Sequence, residues 1–218
     1  SNCPVPAGPD YDFGQAPALF TVKPNPTGKP RDLVGAGQKS GQYWALDPDT
    51  GAVVWVTQAG PGGTAGGLQW GSAVDGQRVY TANANSNNIP WPAPGGATTG
   101  VWSGLDAATG RTIWQKSLPG DFGGQMMSIW KFSESPLVDG PRLICTPGGP
   151  DATLVALNKD SGEMIWKCAM PKIGERGKDG AGYASAVVAE IAGVRQYVQL
   201  VGRGLIGVEA ATGRFLWG

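Results

Sequence analysis

The sequence has no histidine, three cysteines and no net charge, with 17 basic and 17 acidic residues among 218. The missing histidine excludes Ser-His-Asp and Cys-His catalysis, His-ligated zinc and haem attachment through a Cys-x-x-Cys-His motif. Cys3, Cys145 and Cys168 make no Cys-x-x-Cys pair and read as isolated thiols. Balanced charge gives no electrostatic case for nucleic acid or an anionic membrane surface. Long hydrophobic runs are lacking too: the apolar stretches are strand-length, so no membrane span is expected, and no signal-peptide pattern is found. Asp10, Asp12 and Asp121 are scattered carboxylates without the spacing of a calcium loop, so no metal site is expected.

What is present is repetition. The stretch Ala45-Leu46-Asp47-Pro48-Asp49-Thr50-Gly51-Ala52-Val53-Val54-Trp55 recurs three more times. Its copies run from Leu105-Asp106 through Thr109-Gly110 to Trp114, from Leu157-Asn158 through Ser161-Gly162 to Trp166, and from Val208-Glu209 through Thr212-Gly213 to Trp217. A period of about fifty residues with a strand-turn-strand unit in each copy is a blade repeat. Alternating apolar residues such as Tyr43-Trp44-Ala45-Leu46 predict a half-buried strand. Asp47 and its counterparts predict a turn whose backbone N–H groups bond a side-chain oxygen. The Gly supplies positive φ, and the Trp four residues later is a flat side chain suited to filling the gap between blades. Gly 36 and Pro 18 would suggest disorder, but they sit between periodic strands, and nine Trp argue for packed interiors.

The expected fold is therefore all-β: a β-propeller unit of four four-stranded blades, at about 1–58, 59–117, 118–169 and 170–218. First strands are predicted at 16–22, 70–74, 134–138 and 183–188, and second strands at 32–37, 78–82, 142–145 and 196–200. Cys145 and Cys168 then fall in the second and fourth strands of one blade, with a strand between them, which argues against a disulfide. Short turns at Asp75-Gly76, Asp139-Gly140 and Ala192-Gly193, a longer one at Asn25-Pro26-Thr27-Gly28, and the Thr-Gly turns trim one face of the disc. Loops at 58–67, 85–100, 116–128 and 170–182 crowd the other, so any binding site is expected on that face.

On that face Lys39, in Gly37-Gln38-Lys39-Ser40-Gly41, is either a solvated loop lysine or a cation aimed at the central axis. Arg203, in Val201-Gly202-Arg203-Gly204, holds the similar position in the fourth blade. The mixed-sign segment 172–180 reads as a solvated loop, not a phosphate cradle. The polar loop Asn85-Ser86-Asn87-Asn88-Ile89-Pro90-Trp91-Pro92 reads as a surface insertion, and otherwise as a lid or carbohydrate contact.

These repeats resemble the Trp-docking motif of quinoprotein alcohol dehydrogenases and their non-catalytic relatives, eight-bladed propellers with pyrroloquinoline quinone (PQQ) on the axis. Residues 1–117 resemble polyvinyl alcohol dehydrogenase, through Cys3-Pro4-Val5-Pro6, Gly8-Pro9-Asp10-Tyr11-Asp12-Phe13-Gly14 and Ala36-Gly37-Gln38-Lys39-Ser40-Gly41. Residues 121–218 resemble planctomycete-type PQQ-like repeat proteins, through Asp121-Phe122-Gly123-Gly124, the run from Ser133 to Gly140, Cys145-Thr146-Pro147-Gly148-Gly149 and Asp179-Gly180-Ala181-Gly182-Tyr183. The two-branch resemblance leaves a natural fragment, a recombinant and an engineered chimera all open.

The resemblance implies a periplasmic or extracellular location, PQQ with calcium as the cofactor class, and Lys39 as a contact to the quinone oxygens. Arg203, by its similar loop position, is the other cofactor-binding candidate. It supplies no catalytic residue, since the family's catalytic aspartate, acidic metal ligands and adjacent-Cys pair have no matching segment here. The leading expectation is a non-catalytic scaffold or ligand-binding half-ring that pairs with a second copy into an eight-bladed homodimer. The alternatives are a PQQ-dependent alcohol dehydrogenase fragment or subunit and, for the architecture, a closed four-bladed ring.

Overall fold

The computed structural model describes residues 8–23, 28–92, 98 and 100–218. Cys3, the Cys3-Pro4-Val5-Pro6 motif, residues 25–27 of the first turn and part of the 85–100 loop lie outside the described residues.

Four sheets, antiparallel apart from one two-residue parallel pair, follow one another along the chain. The first contains β2 (Ala18–Val22), β3 (Arg31–Gly37), β4 (Gln42–Leu46) and β5 (Val53–Gln58), preceded by the two-residue β1 (Gly14–Gln15). The second contains β6 (Gly67–Trp70), β7 (Ala73–Val74), β8 (Arg78–Ala84), β9 (Val101–Asp106) and β10 (Thr112–Ser117), with β1 as its sixth strand, paired to β6. A short helix α1 (Leu118–Phe122), capped by the Ser117 hydroxyl, leads to the third sheet. That sheet holds β11 (Leu137–Asp139), β12 (Arg142–Cys145), β13 (Leu154–Asn158) and β14 (Met164–Cys168). The fourth holds β15 (Val187–Ile191), β16 (Val194–Val201), β17 (Gly204–Glu209) and β18 (Phe215–Trp217).

Three first strands start later than expected: Ala18, Leu137 and Val187 begin them, while Glu134 and Tyr183 stand in the loops before. The stretch 70–74 is not continuous either. It breaks at Gly71-Ser72 because Trp70 takes φ +65, which turns the chain out of extended conformation. The pieces are β6, which pairs in parallel with β1, and β7.

The repeat turns form as their sequence dictates. The Asp47 carboxylate accepts from the Asp49 and Thr50 N–H groups, Asp106 accepts from Ala108 and Thr109, and Asn158 accepts from Asp160 and Ser161. Glu209 has a longer side chain and instead bonds the Thr212 hydroxyl and Arg214. Each turn closes on a glycine with φ between 70° and 75°.

These turns are also sockets. Trp55 packs on Gly110 of the next sheet, where an added Cβ would lie 2.6 Å from its ring, and its indole N–H donates to Ala107 O at 3.0 Å. Trp114 repeats this on Gly162 and Lys159 O (3.0 Å), and Trp166 on Gly213 and Ala210 O (3.2 Å). All three indoles are at most 8% exposed. The fourth tryptophan differs. Trp217 is half-buried, packs on Gly207 of its own sheet and donates to Gln196 Oε1 at 2.7 Å. Conversely, no described residue lies within 4 Å of a Cβ placed at Gly51, the first sheet's counterpart of the socket glycines.

The core forms three clusters, each between adjacent sheets. Sheets two and three are therefore buried on both faces, and β8, β9 and β13 lack the alternation of a half-exposed strand. Sheets one and four do alternate. In β3 and β4, Leu33, Tyr43 and Ala45 face inward, while Val34, Trp44 and Leu46 share the other face with Leu19, Val53 and Val56. On sheet four, Val187, Val198, Leu200, Leu205 and Trp217 point outward together. Cys145 and Cys168 are both free.

Candidate functional site

Segments from all four sheets meet on the long-loop face. Lys39 sits on the turn between β3 and β4, fixed by its N–H to Asp12 O (3.0 Å) and by its carbonyl, which accepts from Gly63 N at 3.0 Å. Its ammonium lies 3.0 Å from Asp12 and 3.3 Å from Asp10. The hydrogen bond to Asp12 is the largest influence and, with Asp10, holds the Lys39 pKa above the ordinary lysine value against desolvation.

Beside Lys39 opens a cleft of about 510 Å³, lined by Thr64, Gln69, Trp70, Trp130 and Tyr183. Trp70 and Tyr183 face each other with rings 15° from parallel and centroids 6.2 Å apart. Positive φ on a bulky aromatic residue is a genuine outlier, costing roughly 1–3 kcal/mol unless the surroundings enforce it. Here β1 enforces it: Gln15 pairs with Trp70 in register, donates to Gln69 O at 3.3 Å and accepts from the Ser72 hydroxyl at 2.9 Å.

Trp130 comes from the loop before sheet three and is 56% exposed, next to Ile129 at 85%. The Tyr183 hydroxyl holds this loop, bonding the Ser128 hydroxyl and donating to Trp130 O at 3.3 Å. Lys131 adds a bond to Asn88 Oδ1 at 3.0 Å.

Arg203 points elsewhere. Its guanidinium pairs with Asp179 and donates to the carbonyls of Ile173 (3.2 Å) and Gly174 (3.3 Å), folding the 172–180 loop over sheet four. Arg203 in turn holds the Asp179 carboxyl below the usual carboxylate range. The structure thus sets Lys39 at the cleft with Trp70 and Tyr183 but does not bring Arg203 to it. Among the described residues, no three acidic or thiol side chains converge as metal ligands. Trp130 was not singled out by sequence, because it stands outside every repeat. The apolar run Met126-Met127-Ser128-Ile129-Trp130 in a loop between blades was the available signal.

Antiparallel four-stranded sheets stacked face to face, each sealed to the next by a repeated tryptophan, are the blades of a β-propeller. The chain belongs to the PQQ_2 family, described as "Outer membrane protein assembly factor BamB", whose model matches residues 34–218. Polyvinylalcohol dehydrogenase of Sphingopyxis sp. (strain 113P3) is 33% identical over 170 residues, 76% of this chain and 24% of that protein. The enzyme of the same name from Pseudomonas sp. is 38% identical over 81 residues, 37% of this chain and 12% of that one. The chain thus spans about a quarter or less of these relatives' length.

Among solved structures, BamB from Moraxella catarrhalis superposes with a TM-score of 0.53 at 19% identity, over 94% of this chain and 52% of that one. Quinohemoprotein alcohol dehydrogenase ADHIIG from Pseudomonas putida HK5 gives 0.61 at 13% identity, over 96% and 34%. Both likenesses speak for the fold.

Proposed function

We propose that this chain is a propeller half that joins a second copy in an eight-bladed ring and serves as a non-catalytic, ligand-binding scaffold. The supporting observation is the unused pair of docking parts, Trp217 without a neighbouring turn and the Gly51 turn without a tryptophan. The outer faces of sheets one and four are apolar, with Leu19 at 69% and Leu200 at 51% exposed. A groove of about 240 Å³ on sheet one, lined by Phe13, Val34, Trp44 and Leu46, adds to that surface. Two-fold pairing covers both faces at once, with Trp217 of each copy on Gly51 of the other. The family's description as an outer-membrane assembly factor supports a periplasmic or extracellular setting. Light scattering coupled to size exclusion tests the reading: a two-chain particle is expected, and Trp217→Ala lowers the dimer fraction. A soluble single chain at micromolar concentration refutes it and favours a closed four-bladed ring.

A second reading, a PQQ-dependent alcohol dehydrogenase fragment, draws on Lys39 beside an aromatic cleft and on the polyvinylalcohol dehydrogenase relatives. The residues here fit that cofactor poorly. Both nearby carboxylates already bind Lys39, and the described residues offer no three-ligand set for calcium. Retained quinone absorbance after adding PQQ and calcium, lost in Lys39→Ala, would favour it.

A further inference from the structure

We propose that the cleft bounded by Trp70, Trp130 and Tyr183 binds a neutral oligosaccharide, with a sugar ring laid on the exposed indoles. The proposal deepens the ligand-binding part of the function above and names the ligand class. Its volume of about 510 Å³ falls in the ordinary small-molecule range of about 300–1,000 Å³. The choice of ligand rests on three features.

The lining is mainly apolar and aromatic, yet it faces water. Trp130 and Trp70 are more than half exposed, although neither supports the core. A pyranose presents C–H bonds whose slight positive charge suits the negative face of an indole, and the same ring carries hydroxyls at its rim. Polar groups for those hydroxyls are present and unspent. The Trp70 and Trp130 indole N–H groups have no protein partner among the described residues, nor has Gln69 Oε1, whose amide nitrogen is engaged by Gly66 O at 2.9 Å. Thr64 lines the same cleft.

Electrostatics then select against an anion. Among the described residues Lys39 is the one cation lining the cleft, and two carboxylates pair with it, so the trio carries net negative charge. An acidic ligand meets no free positive group there, whereas a neutral ring loses nothing.

The aromatic surfaces are also held in place before any ligand arrives. Trp70 is kept in a strained backbone conformation by β1 and Gln15, and the backbone carbonyl of Trp130 is tied by the Tyr183 hydroxyl. The β1 pairing and the Gln15 bonds that enforce this φ put stability into holding an exposed aromatic in place, which fits a preorganised binding surface.

The test titrates the full chain with cellohexaose and maltohexaose, read by tryptophan fluorescence and calorimetry, with hexagalacturonate as the charged control. Saturable binding of at least one neutral hexaose is expected, about tenfold or more tighter than hexagalacturonate. Trp130→Ala should weaken it by about tenfold or more, and Lys39→Ala by less than about threefold. Trp70→Gly should weaken binding while leaving the melting temperature the same or higher. No saturable binding of either neutral hexaose, or equal affinity for the acidic one, overturns the proposal. Light scattering on the same samples separates the two readings. A two-chain particle that ignores sugar sinks the ligand class alone, and a single chain that binds sugar sinks the ring alone.

Discussion

Glu134 is buried between sheets three and four, where the Thr146 N–H and the Gln199 amide (3.0 Å) donate to its carboxylate. Burial pushes its pKa up to about 8, against the pull of those donors, and pushes the neighbouring Cys145 thiol well up too. In the unfolded chain the same carboxyl titrates near its ordinary value of 4.5. The folded form therefore binds the extra proton between those values, and stability falls as pH rises from about 4.5 through about 8. The melting temperature should drop between pH 5 and pH 9 in the wild type and much less in Glu134→Gln. An equal drop in both would remove Glu134 as the cause. This site was not legible in the sequence: Glu134 is the first residue of a stretch read as a strand, and its partner Gln199 is 65 residues away. Trp70 was placed in that same way. Nothing in a sequence marks a tryptophan for positive φ when the cause is a parallel two-residue strand more than fifty positions earlier.

At the scale of elements, the docking tryptophans carry the inter-sheet contacts. Trp114→Ala removes a buried indole and leaves Gly162 facing a cavity, so denaturant unfolding should show a loss of roughly 3–5 kcal/mol. Unchanged stability would mean that the sheets are held some other way. The Arg203 clamp belongs to a different class of contact. Its pair with Asp179 is partly exposed, and such pairs contribute only about 0–1 kcal/mol, so Arg203→Ala should hardly move the melting point. It should, however, free the 172–180 loop, and limited trypsin digestion at Lys172, Arg176 or Lys178 should become faster. No change in cleavage would refute the clamp. The repeats made the turns and the Trp contacts readable because each is a local consequence of Asp, Gly and Trp at fixed spacing. Where the pattern met Glu209 it kept the turn and changed the bonds, since the longer carboxylate reaches Thr212 and Arg214. Clamps between sheets escaped it. Asp75 with Lys159 and Asp139 with Arg195 sit in turns recognised only as turns, and their partners lie one sheet away.

At the scale of the whole molecule, the two outer sheet faces set behaviour in solution. If two copies pair, both apolar faces are covered together, and dilution should release them. An apolar dye such as ANS should then brighten as the protein is diluted below its dissociation constant, and Trp217→Ala should shift that onset to higher concentration. Constant dye response per chain across dilution would count against pairing. Because all three core clusters join only adjacent sheets, the chain is also a one-dimensional array of coupled units. Its middle members have two neighbours and its end members one, so opening starts at the ends. Amide hydrogens of β3 and β16 should exchange with solvent before those of β8 and β13 in the single chain. Joining the ends of two such arrays into a closed circle gives every unit two neighbours, and the gradient of exchange along the sequence should flatten.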